Sequence, residues 1–155
     1  MRSPVVAETA PHDIRLSVQF DRKLVDIRNA YNLHTGLLPR YGGVDILHHT
    51  LENGDREQGL TFHAMSDRLD AGPVISTITY PVLPSDGVVE LYQRMLAIAP
   101  HFVRSSLALL RLVDVTQISG VVPKLYKHAD IRNPERYAKD GKALSDFLRD
   151  RGLLA

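Results

Sequence analysis

The sequence contains no cysteine, which excludes disulfide staples and thiolate nucleophiles and fits a reducing compartment. It has little net charge: 19 Lys and Arg stand against 18 Asp and Glu, a formal +1. No basic run interleaves with aromatic residues, so the chain lacks the electrostatic footprint of a nucleic-acid binder. It has no apolar run near the ~20 residues needed to cross a bilayer, and the opening MRSPVVAETAPHD lacks the apolar stretch of a signal peptide. The expectation is a cytoplasmic protein with neither membrane nor nucleic acid as a partner. Internal repeats, a GxGxxG following a strand, a phosphate-binding P-loop and an HExxH are all missing, which removes the usual marks of dinucleotide, ATP and metalloprotease chemistry. What remains is a chain of 155 residues, 44% hydrophobic and 24% charged, long enough to bury one substantial core.

The patterning places strands and helices in alternation. Two prolines and little periodicity mark residues 1–13 as a tail or a frayed helix. Residues 14–20 (IRLSVQF) alternate apolar and polar side chains, as a strand does, and residues 25–32 can hold a short second strand. Residues 37–43 (LLPRYGG) form a loop punctuated by proline and paired glycines. Residues 44–51 read as a helix, with Val44, Leu47 and Leu51 on one face and Asn53-Gly54-Asp55 ending it. Residues 60–65 and 74–82 are strands, the second (VISTITYPV) rich in β-branched side chains, and the loop 66–73 between them carries Asp70. Ser85 is the expected N-cap of a long helix. Its Leu91, Met95, Ile98, Phe102, Leu109 and Leu112 keep a helical beat and read as core, and Pro100 is expected to kink or restart it. Beyond Asp114 the chain is extended through Val121-Val122-Pro123, and Asn133-Pro134-Glu135 caps a last helix ending near Leu154. Recurring strands and helices make the class α/β.

Three side chains attract chemical interest. Asn32 and His34 are two positions apart, so on an extended chain they emerge on one face. The loop that follows leaves them at the carboxyl end of a strand, where open α/β sheets bind ligands, and the Asp70 loop can return to the same crevice. An amide, an imidazole and a carboxylate suit acyl transfer: a donor for an oxyanion, a proton carrier and a charge that tunes both. Spacing alone leaves a purely structural role open. His34, His48, His49 and His63 with Asp45 could in principle ligate a metal, but adjacent His48 and His49 diverge on a helix and no ligand spacing is present, so no metal is expected. The charged run 52–57 (ENGDRE) reads as a solvated turn.

In order, NLHTGLLPRYGG, ENGDREQG and LTFHAMSDRLDAGPVI resemble the signature of the folate-dependent formyltransferases, the enzymes that use 10-formyltetrahydrofolate. Asn32, His34, Leu37, Leu38, Pro39, Tyr41 and Gly43 fit the pattern N-x-H-x-S-L-L-P-x-Y-x-G. Asn53, Gly54 and Asp55 fit its NGD turn, and Leu69, Asp70 and Gly72 fit its L-D-x-G. His63 and Gly72-Pro73-Val74-Ile75 lean towards the glycinamide ribonucleotide type. The resemblance covers about residues 13–99. It implies the C-terminal part of a formyltransferase-like (Rossmann-like) open sheet with flanking helices, the N-terminal strands missing: a tail at 1–13, a truncated catalytic domain at 14–115 and a C-terminal extension with a helix at 116–155. It implies Asn32, His34 and Asp70 as catalytic residues, with Asp70 holding a proton on His34 or ordering a water. Phe20, Arg22, Leu24, His63 and Leu69 are implied for the folate pocket, and Ala99-Pro100 matches a proline common in the family. The implied activity is formyl transfer from 10-formyltetrahydrofolate to a primary amine of a small metabolite. The alternatives are a deformylase-like hydrolase, with water replacing the amine, or a truncated module that binds folate or a partner chain. One departure is Thr35-Gly36 where the family has Pro-Ser, which is expected to loosen the loop. A strand at 14–20 left on the sheet edge implies a dimer or a second chain supplying the missing strands.

Overall fold

The computed structural model describes residues 14–18 and 27–154. Its main sheet has four strands in the order β1-β2-β4-β5, formed by Arg15–Val18, Ala30–His34, Glu57–Ala64 and Val74–Pro81. β1 runs parallel to β2, while β2, β4 and β5 are antiparallel neighbours. The sheet is therefore open and mixed. A two-residue strand β3 (Gly42–Gly43) pairs in parallel with β6 (Leu125–Tyr126) in a second, small sheet. Three α-helices lie among the described residues, α1 (Ile46–Asn53), α2 (Val88–Leu109) and α3 (Pro134–Asp150), with α2 packing on β4 and β5.

The core forms where β4 is covered on both faces. Leu60 and Phe62 are fully buried and join Leu33, Leu91, Met95 and Phe102 in one cluster. Buried polar residues on β4 are satisfied, as burial demands. Thr61 Oγ1 donates to the Gly36 carbonyl at 2.6 Å and accepts the Leu38 N–H at 3.1 Å. This threonine fastens the loop after His34 to the central strand. The Leu38–Pro39 peptide in that loop is cis.

Several boundaries differ from the sequence expectation. The strand expected at 14–20 is described as Arg15–Val18, residues 19–20 lying outside the described residues. The strand expected at 25–32 starts later, at Ala30, and carries through His34. The helix expected from 44 begins at Ile46, after Asp45 in a left-handed conformation, and Val44 is exposed. β4 begins at Glu57 rather than 60, because Gln58 is buried despite its polarity and hydrogen-bonds Thr50. The N-cap of α2 is Gly87, not Ser85. The Glu90 carboxylate accepts the Gly87 N–H at 2.9 Å and closes the first turn from the N3 position. Helix α2 passes through Pro100 without restarting. Its apolar stripe also ends early: Leu112 lies beyond the helix at 81% exposure, and the buried position near that end is Ser106, hydrogen-bonded to Ser76 and to the Phe102 carbonyl. The cap at Asn133 is as expected, its side chain accepting the Arg136 N–H at 2.9 Å. No helix among the described residues is long and apolar enough to cross a membrane.

Candidate active site

Asn32 and His34 stand on β2 opposite His63 and Thr61 of β4 in antiparallel register. Side chains directly opposite each other on neighbouring strands lie close enough to interact. The Asn32 amide Nδ2 donates to His63 Nε2 at 3.2 Å. The tautomer follows from the other nitrogen, because His63 Nδ1 lies 2.9 Å from the Ala64 carbonyl and must carry the hydrogen there. Burial pushes the His63 pKa below its ordinary value, against the Ala64 bond and the nearby Asp70 charge. His63 is thus a neutral imidazole, 2% exposed, whose lone pair fixes the amide orientation of Asn32. One Nδ2 hydrogen of Asn32 is held in this way, leaving the second for another acceptor.

His34 ends β2 and is buried. Its Nε2–H donates to the Tyr41 carbonyl at 2.6 Å, which leaves Nδ1 as the ring nitrogen free for chemistry. Nδ1 lies 3.7 Å from Asp70 Oδ1, and the same oxygen is 3.7 Å from His63 Nε2. Both separations are within ion-pair range but too long for hydrogen bonds. The other oxygen, Asp70 Oδ2, accepts the Gly43 N–H at 2.8 Å. Asp70 adopts a left-handed backbone (φ 52°), which aspartate tolerates better than most residues. The turn bends the 66–73 loop so that the carboxylate enters between the two imidazoles.

The structure therefore brings Asn32, His34 and Asp70 together and adds His63 to them. His63 braces Asn32 and faces Asp70. Leu69, beside Asp70 in sequence, is 60% exposed and takes no part in this polar cluster. Phe20, Arg22 and Leu24 lie outside the described residues. The Thr35-Gly36 departure also has a different consequence from the one expected. A Cβ at Gly36 would sit 2.6 Å from the Tyr41 carbonyl and 2.9 Å from His34 Nε2. Glycine there lets the backbone pack against the His34 ring and the Tyr41 carbonyl, where a side chain would collide. Among the described residues no group of histidine and carboxylate side chains is arranged to hold a metal. His49 is buried against the Tyr126 ring at 4.5 Å, while His48 faces Tyr137 and Asp140.

The charged run 52–57 at the end of α1 is an anchor and not merely solvated. Asp55 accepts a short hydrogen bond from the Tyr41 hydroxyl. Asn53 Nδ2 donates to the same hydroxyl at 2.7 Å and to Tyr126 at 3.1 Å. Glu52 accepts the backbone N–H groups of Arg132 and Asn133 at 2.8–3.1 Å. Desolvation and the acceptor role of Asp55 together raise the Tyr41 pKa well above the ordinary phenol value. Tyr41 is 1% exposed and remains a neutral donor.

A mixed open sheet with a polar cluster at the carboxyl end of an inner strand is the architecture of a ligand-binding α/β domain. The chain belongs to the formyl transferase family, whose model matches residues 23–106. It is 36% identical over 78 residues to a methionyl-tRNA formyltransferase of Streptococcus pyogenes, an alignment spanning 50% of this chain and 25% of that protein. The solved glycinamide ribonucleotide transformylase 1 of Symbiobacterium toebii superposes with a TM-score of 0.53 at 27% identity, over 60% of this chain and 46% of the other. An N-formyltransferase of Helicobacter canadensis, in complex with folinic acid and dTDP-3-aminofucose, shares the fold with a TM-score of 0.62 at 21% identity, over 76% and 46% of the two chains. The chain thus spans about a quarter to a half of the length of these relatives.

Proposed function

We propose that this chain is the catalytic core of a formyltransferase that moves a formyl group from 10-formyltetrahydrofolate to a primary amine of a small metabolite. The observation that carries the reading is the convergence of Asn32, His34 and Asp70, with His63 as brace, in a chain of the formyl transferase family. The Helicobacter canadensis relative bound to folinic acid supports a formylated folate as donor. In the reaction the amine nitrogen attacks the formyl carbon and a C–N bond forms, placing negative charge on the formyl oxygen. The second Nδ2 hydrogen of Asn32 is available to that oxyanion. His34, protonated at Nδ1, supplies positive charge from the neighbouring position. Asp70 Oδ1, facing both imidazoles, accepts the proton lost by the amine, directly or through a water. The proton passes to N10 of the folate as its bond to the formyl carbon breaks, and formamide product and tetrahydrofolate leave. Phe20, Arg22, Leu24 and Leu69 are proposed for the folate pocket.

Removal of one oxyanion donor typically raises a barrier by about 3–4 kcal/mol. Asn32→Ala, His34→Ala and Asp70→Ala should each reduce transfer about 10²- to 10³-fold while leaving the circular dichroism spectrum unchanged. Wild-type formyl transfer by the triple variant would sink the mechanism. The second reading is a folate- or partner-binding module without turnover. Titration with folate followed by an assay with formyl donor and amines separates the two, since the module binds and does not turn over.

A further inference from the structure

The geometry points to the segment 120–127 as a strap that positions the proposed acyl-transfer site, with Tyr126 as its positioning residue. The inference rests on the site described above and extends it to a part of the chain beyond the family-matched residues 23–106.

Successive N–H groups on a strand point to opposite edges. In the segment 42–44 the Gly42 and Val44 N–H groups donate to the Lys124 and Tyr126 carbonyls at 2.9 and 3.0 Å. The Gly43 N–H between them must then face away from the strap, and there it meets Asp70 Oδ2 at 2.8 Å. Pairing with the strap therefore sets the direction of the Gly43 backbone donor that holds the carboxylate. The strap grips the adjoining loops as well. Lys124 N–H donates to the Pro39 carbonyl at 2.8 Å, and Val121 N–H donates to the Ala71 carbonyl, next to Asp70, at 2.9 Å. One piece of chain thus ties the loop that binds His34, through the Tyr41 carbonyl, to the loop that bears Asp70.

Tyr126 gives this contact its register. Its ring, 9% exposed, stacks on Tyr41 with centroids 5.1 Å apart and packs at a tilt against His49 at 4.5 Å, and its hydroxyl accepts from Asn53. Tyr41 is the residue whose carbonyl receives the His34 proton donor. At Gly43, which has φ 92°, a Cβ would lie 2.1 Å from the Tyr126 carbonyl, so the strap sits against bare backbone with no room for a side chain.

The test is amide and imidazole NMR on the full chain, which reads the site whether or not the chain turns over. In Tyr126→Ala the Gly43 amide and the His34 ring signals should move, while amides of β4 and β5 stay in place. Tyr126→Phe keeps the stacked ring and should restore the wild-type positions. Gly120→Ala provides an independent disturbance, because its Cβ would lie 2.5 Å from the Ala71 carbonyl and lift the strap from the Asp70 loop without touching the Tyr126 ring. It should move the same signals even if Tyr126→Ala does not fold. Where the wild type turns over, displacement on the ångström scale should lower kcat by up to about 10²-fold with KM for the formyl donor little changed. A wild type that is inactive defeats the formyltransferase reading and leaves the NMR test intact. Folded Gly120→Ala with Gly43 and His34 signals at their wild-type positions would overturn the strap.

Discussion

At the scale of single residues, the decisive feature is a neutral histidine used as a hydrogen-bond acceptor. His63 holds its hydrogen on Nδ1 for Ala64 and offers Nε2 to Asn32, so the amide of Asn32 cannot flip without losing the bond. The resemblance implies His63 for the folate pocket, and its hydrogen bond to Asn32 supports a further role, as the brace of the proposed oxyanion donor. The two roles predict different kinetics. As a brace, His63→Ala should lower kcat about tenfold, equivalent to roughly 1.4 kcal/mol, the worth of one net hydrogen bond, with folate affinity within a factor of about two. His63→Gln, which keeps an acceptor oxygen, should recover part of the loss. If titration showed folate affinity falling while kcat held, His63 would belong to the pocket wall instead.

At the scale of elements, helix α2 shows what a sequence pattern does and does not carry. Leu91, Met95 and Phe102 are buried as their spacing requires, but Pro100 does not end the helix. Proline removes the N–H that would bond the carbonyl of Leu96. Here Leu96 and Pro100 are both exposed, so that carbonyl can be hydrated while the opposite face stays packed on the sheet. Pro100→Ala should therefore stabilise the protein, by about 1–3 kcal/mol, seen as a higher denaturant midpoint at unchanged slope. A lower midpoint would mean that the ring itself packs usefully. The same contrast separates what was legible at the site. Asn32, His34 and Asp70 could be found in the sequence because their side chains carry the motif. Gln58 and Thr61 on β4 could not, since polar residues that are buried and satisfied look like surface residues when only the string is read. The strap is silent for a different reason: its bonds join backbone groups of Gly42, Val44, Pro39 and Ala71, and every residue type has those.

At the scale of the whole molecule, the element open to a partner is the outer edge of β1. Among the described residues β1 pairs only with β2. Its Ile14, Leu16 and Val18 are exposed, and Ile14 and Leu16 line an open groove with Leu107, Leu110, Arg104 and Arg111 at the end of α2. Among the described residues no strand lies beyond β1, and an edge strand that presents apolar side chains can template another strand. A second copy of the chain can meet it by two-fold symmetry, β1 against β1 in antiparallel register, so that each copy covers the other's groove with the same residues. The proposed partner is accordingly a second copy, and light scattering at tens of micromolar should give twice the chain mass. Leu16→Lys puts a charge in the middle of the shared groove and should return the protein to one chain mass with its circular dichroism intact, since Leu16 is already 40% exposed and contributes little to the core. A wild type that is monomeric throughout this concentration range would exclude the symmetric pairing.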